Sequence, residues 1–88
     1  MSGDTVELLR DRLAVLEPLS LAIEDDSHRH AGHAGARDGG HYKITIIAAA
    51  FVGQNTVKRH RAVYAAVGDL MRGRIHALGI RAFSPDEV

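Results

Sequence analysis

The stretch from Phe51 to Ile80, FVGQNTVKRHRAVYAAVGDLMRGRIHALGI, constrains the fold more than any other part of the chain. Its spacing predicts a tight turn, one long amphipathic helix, a glycine stop and a buried strand. Asn55 or Thr56 can cap the helix, because a short side-chain oxygen satisfies amides that the first turn leaves free. Val57, Val63, Tyr64, Val67, Leu70 and Met71 then recur at helical spacing as one apolar stripe. Gly73 is the expected stop, since glycine adopts the left-handed cap conformation without steric cost. Ile75 to Phe83 follows with strand-like alternation.

Upstream the signals are shorter. Asp4 and Glu7 have capping-box spacing, and Val6, Leu9, Leu13 and Leu16 share one face of a helix expected from Thr5 to Leu16. Pro18 opposes its continuation. Leu19, Leu21 and Ile23 alternate with polar or small residues, predicting a half-buried strand closed by Asp25 and Asp26. Ser27 to Gly40, SHRHAGHAGARDGG, holds four glycines and three histidines and has little means of forming helix or strand. An irregular insert of this length in a small domain is usually functional or disordered. Tyr42, Ile44 and Ile46 predict a second strand ending near Ala50, paired with the first as an antiparallel hairpin. Ser84-Pro85-Asp86-Glu87 reads as a helix start, with a serine cap, proline at the first position and a box glutamate.

The resulting order is α-β-β-α-β with a short C-terminal helical turn. An α+β domain with a three-stranded sheet and its helices on one face would bury these stripes. Residues 1–88 are read as one domain, with a histidine- and glycine-rich loop at 27–41. A chain of 88 residues supports one core and buries only about 60% of its extended surface.

Cysteine is absent, which excludes disulfides and thiolate metal sites supplied by this chain. Any metal must be held by histidine, carboxylate or a partner's ligands. The N-terminal MSGDTVELLR lacks a basic start followed by an apolar run, and no apolar stretch approaches the ~20 residues of a membrane span. A cytoplasmic protein without membrane partners is the expectation. The net charge is zero, but residues 1–40 carry four basic and eight acidic residues, and residues 41–88 carry seven and three. Such polarity can steer a partner, yet it is far from the basic balance of a dedicated nucleic-acid binder.

Phe51-Val52-Gly53, then Arg59-His60-Arg61, then Ile75-His76-Ala77-Leu78, resembles the signature of the BolA-like proteins. Asp26-Ser27, His41-Tyr42-Lys43 and Ser84-Pro85 extend the resemblance over nearly the whole chain. It implies a small α+β fold similar to class II KH domains, and a monothiol glutaredoxin as partner. It further implies a non-enzymatic role in iron–sulfur cluster assembly, trafficking or iron regulation.

Each histidine has two readings. His60 falls within the helical stripe, where a histidine packs partly buried and hydrogen-bonds a backbone group. That makes it structural. His76 has the strand parity of Leu78 and Ile80 but sits at the strand entry. By position alone it is structural or solvated; the resemblance makes it a ligand of the shared cluster. His28, His30 and His33 form an HxHxxH array, with His41 following at the strand start. Neutral imidazole suits several transition metals, and the plain alternative is a solvated loop. By the resemblance a residue of this loop supplies the second ligand. Counting from Asp26-Ser27 selects His30, with His33 and His41 in reserve.

A 2Fe–2S cluster accepts two histidines in place of two thiolates, as Rieske centres do. The resemblance thus implies a cluster shared with a glutaredoxin cysteine and a glutathione thiolate, and none bound to the isolated chain. Two neutral ligands raise the cluster potential. Imidazole also protonates near neutral pH, so transfer should depend on pH. The isolated chain is expected to be a monomer or weak homodimer.

The alternative is a DNA-binding regulator. Lys58, Arg59 and Arg61 lie on or beside the outer face of the long helix, although a solvated face explains them as well. Class II KH domains clamp nucleic acid with a GXXG loop. Here the turn reads Gly53-Gln54-Asn55-Thr56, without the second glycine. For catalysis there is no cysteine nucleophile, no P-loop and no convincing triad.

Overall fold

Tyr42, Ile44 and Ile46 put three large apolar side chains on one side of the strand that the molecule packs around, and all three are buried. The computed structural model describes residues 2–26 and 40–88. Helix α1 (Ser2–Leu13) leads through a 3-10 turn (Ala14–Leu16) to β1 (Ser20–Asp25) and then β2 (Gly40–Ile47). A second 3-10 turn (Ala49–Phe51) precedes helix α2 (Thr56–Val67). A third (Gly68–Arg72) leads to β3 (Ile75–Phe83), and Pro85–Glu87 forms a last one. The sheet order is β1-β2-β3. β1 is antiparallel to β2, with Ala22 opposite Thr45, whereas β3 is parallel to it, with Ile44 opposite Ile80. Parallel neighbours need a crossover, and α2 supplies it. The expected α-β-β-α-β order and the strand hairpin are both present.

Leu9 and Leu13 of α1 and Val63 and Val67 of α2 close over the β2 side chains, with Phe51, Leu70 and Ile75 filling the ends. The other two strands are edges and half-buried. Several boundaries differ from the sequence expectation. α1 starts at Ser2, so Asp4 lies in the first turn rather than at a cap. β2 stops at Ile47, because the chain must turn down to seat Phe51 in the core. Gly40 and His41 belong to β2, so the connection between the first two strands runs from 26 to 39 and does not extend to 41. The apolar stripe of α2 is narrower than its sequence implies, since Val57 and Tyr64 are exposed.

The Phe51-Val52-Gly53 motif has a local cause. Val52 has φ −60° and ψ 128°, Gly53 has φ 77°, and the Gln54 amide donates to the Phe51 carbonyl at 3.1 Å. These are the marks of a type II turn, whose third position favours glycine. Asn55 then caps α2, its side-chain oxygen accepting the Lys58 amide at 2.9 Å.

At its other end α2 stops at Gly68, not at Gly73 as its pattern predicts. Gly68 has φ 61° and ψ −130°, backbone space that is costly for any other residue. Arg12 of α1 reaches this terminus, donating to the Val67 carbonyl at 3.1 Å and to Asp69 at 2.8 Å. A cation on the last carbonyls suits the helix dipole, and the Arg12 bond holds the Asp69 carboxyl below its usual range. The following 3-10 turn brings Leu70 into the core. Gly68→Ala should therefore cost about 1–3 kcal/mol, with its new Cβ also 3.2 Å from Arg12. Gly73→Ala meets nothing within 4 Å and should stay within about 0.5 kcal/mol of the parent. Urea midpoints showing the reverse order would restore Gly73 as the stop.

The C-terminal turn is built as its sequence predicts, with Pro85 in the first position and Glu87 accepting the Ser84 amide at 2.8 Å. Its other partner is Arg59, whose guanidinium also donates to the Gln54 and Ala82 carbonyls at 2.8 and 3.0 Å. The Arg59 bond, helped by the Ser84 amide, lowers the Glu87 carboxyl from 4.5 to about 2. A lowered carboxylate stabilises the fold above its unfolded pKa and ceases to do so as pH falls through the folded one. This clasp should therefore be intact above pH 4.5 and lost toward about pH 2. The Ser84 amide resonance should report a midpoint near the lower value; a midpoint near 4.5 would mean that the clasp does not form.

Candidate metal centre

The starts of β2 and β3, side by side at one end of the sheet, carry His41 and His76. β2 starts at Gly40, whose amide donates to the Arg74 carbonyl at 3.0 Å, and the Asp26 amide donates to the His41 carbonyl at 2.8 Å. Gly40 stands opposite Ile75, but His41 stands opposite Ala77. One extra residue on β3 fits into that step, a bulge of the kind that re-aims a side chain. Ile75 keeps its place in the core at 2% exposure while His76 turns outward and is exposed. The strand parity assigned to His76 from sequence is thus reversed. A pattern of period two cannot anticipate the bulge.

His76 now lies on the side of the sheet that His41 faces. The two imidazole centres are 5.1 Å apart with their planes inclined by 42°. Two imidazoles bound to one tetrahedral metal at ~2.1 Å hold their ring centres roughly 5 Å apart, so this spacing fits a pair of ligands on one ion. No group of three or more metal-binding side chains occurs among the described residues. The pair alone therefore leaves coordination positions for outside ligands. His30 and His33, with His28, lie outside the described residues; the structure brings His41, a reserve candidate, against His76. Asp26 is buried beside this end, and its carboxylate is 3.5 Å from the Lys43 ammonium.

The remaining candidates are dispersed. His60 is half-buried on α2 and has no hydrogen-bond partner among the described residues, so the expected backbone bond is not formed. Lys58 and Arg61 are exposed. Arg59 is held by Gln54, Ala82 and Glu87, its side chain only 12% exposed, and does not join them as a free cation. Sequence patterns missed both arginine clasps, which join residues 57 and 28 positions apart.

The family model described as BolA-like protein matches residues 13–87. The chain belongs to the BolA-like family. "SufE-like protein 1, chloroplastic/mitochondrial" of Arabidopsis thaliana is 43% identical over 79 residues, which cover 83% of this BolA-like chain and 21% of that protein. The chain thus spans about a fifth of that relative's length. The "DNA-binding transcriptional regulator BolA" of Haemophilus influenzae is 35% identical over 71 residues, covering 81% of this chain and 67% of that protein. Among solved structures, BolA1 from Arabidopsis thaliana superimposes with a TM-score of 0.81 at 35% identity, over 96% of this chain and 95% of that one. The α+β architecture is that of the BolA-like structures. No helix among the described residues is long and apolar enough to cross a membrane.

Proposed function

We propose that this BolA-like chain binds a monothiol glutaredoxin and shares a 2Fe–2S cluster with it, as a non-enzymatic factor in cluster assembly, trafficking or iron regulation. The observation that carries this reading is the convergence of His41 and His76 at an exposed end of the sheet, 5.1 Å apart. The cluster is the shared cargo. It needs four ligands, and a chain without cysteine leaves the thiolates to the glutaredoxin and its glutathione. His76 is fixed by the buried Ile75 before it. The second imidazole is His41, already beside it, or a histidine of the adjoining segment. His30 is four residues beyond Asp26, so chain length alone keeps it within roughly 14 Å of that residue.

Size-exclusion chromatography of the chain mixed with cluster-loaded monothiol glutaredoxin and glutathione tests the reading: iron and both proteins should co-elute. Alanine replacement of His41, His30 and His33, one at a time, then identifies the second ligand by which variant loses iron from that peak. Iron that stays with the glutaredoxin alone would refute the sharing.

DNA binding is the second reading, favoured by the exposed Lys58 and Arg61 and by the DNA-binding role in the name of the Haemophilus relative. Arg61→Glu should then weaken duplex binding and reduce the slope of log affinity against log salt by about one, the share of a single phosphate. Binding that is flat across salt and indifferent to Arg61→Glu removes this reading.

A further inference from the structure

The face of the sheet turned away from the helices carries an arrangement that neither reading uses. Two cross-strand rows lie on it: Glu24, Lys43 and Gly79, then Ala22, Thr45 and Arg81. Together they line a depression of about 320 Å³, at the small end of the range for ligand pockets. Its floor is low because Ala22 and Gly79 occupy two diagonal corners. The other two corners are oppositely charged. Arg81 and Glu24 are both exposed, and neither has an ion-pair partner among the described residues. Between them stand the Thr45 hydroxyl and Lys43, whose stem lies over Gly79 and whose ammonium leans toward Asp26.

We propose that this depression binds a short zwitterionic peptide, with its carboxylate on Arg81 and its ammonium on Glu24. Two strand spacings across and two residues along separate those corners by roughly 12 Å between Cα atoms. Side chains stand roughly perpendicular to a sheet, so the charged ends lie about as far apart as the Cα atoms, too wide for one amino acid to bridge and within reach of two or three residues at ~3.5 Å each. A simple anion would use Arg81 and leave Glu24 opposing it. A peptide with free termini satisfies both charges, and Lys43 and Thr45 offer donors to its backbone carbonyls.

The test is an amide-resonance titration of the full chain with triglycine, N-acetyltriglycine and inorganic phosphate. Triglycine should give saturable shifts at Ala22, Thr45 and Gly79. N-acetyltriglycine, which lacks the ammonium, should bind several-fold more weakly to the parent, and Glu24→Gln should erase that difference. Arg81→Gln should abolish the shifts, while the Ile44 and Val63 resonances stay in place to show an intact core. His76→Ala should bind triglycine normally, which separates this site from the histidine pair. Absence of saturable shifts, equal binding of phosphate and triglycine, or binding indifferent to both Glu24→Gln and Arg81→Gln would overturn the proposal.

Discussion

Phe51→Ala should destabilise the fold by about 3–5 kcal/mol, the range for deleting a fully buried phenylalanine. The ring is fully buried in the core that also holds Leu9, Leu13, Val63, Val67 and Ile46. It sits between a 3-10 turn and the type II turn set by Gly53, so the backbone on both sides resists collapse into the cavity. A domain of this size has about 5–15 kcal/mol in all, so the loss is a large part of its stability. Val52→Ala, one residue along at 58% exposure, should fall within about 0.5 kcal/mol of the parent. Urea denaturation of the two variants separates these outcomes, and a Phe51→Ala protein that unfolds like Val52→Ala would contradict the packing described.

What the sequence discloses and what it hides divide by range. The Asn55 cap, the Gly53 turn and the Ser84-Pro85-Glu87 terminus are local, and each is where its pattern places it. The pattern places the stop of α2 at Gly73, whereas the helix ends at Gly68. The choice rests on Leu70 entering the core and on Arg12 arriving from another helix. The outward turn of His76 depends on the register between β2 and β3, which no single segment encodes. Arg59 looks like a surface cation until Ala82 and Glu87 are brought to it. For the site, sequence resemblance supplied His76 and a set of possible partners, and the fold then placed His41 beside it. His30 and His33 lie outside the described residues.

His76→Ala should abolish cluster sharing while leaving the fold intact. The side chain is exposed and the core contact at the strand entry belongs to Ile75, so stability should change by no more than about 0.5 kcal/mol. Coordination, by contrast, should fail outright. A chain without cysteine has no thiolate to substitute, and among the described residues His41 alone is left at that end of the sheet, one ligand where two are needed. Loss of function without loss of stability distinguishes a ligand from a packing residue.

The direct measurement is visible circular dichroism of cluster-loaded monothiol glutaredoxin with glutathione, titrated with the parent chain and with His76→Ala. The parent should convert the spectrum to a new, saturating form, and His76→Ala should leave the glutaredoxin spectrum unchanged. The same saturating conversion by both proteins would contradict the assignment of His76, and no conversion by either would contradict cluster sharing itself.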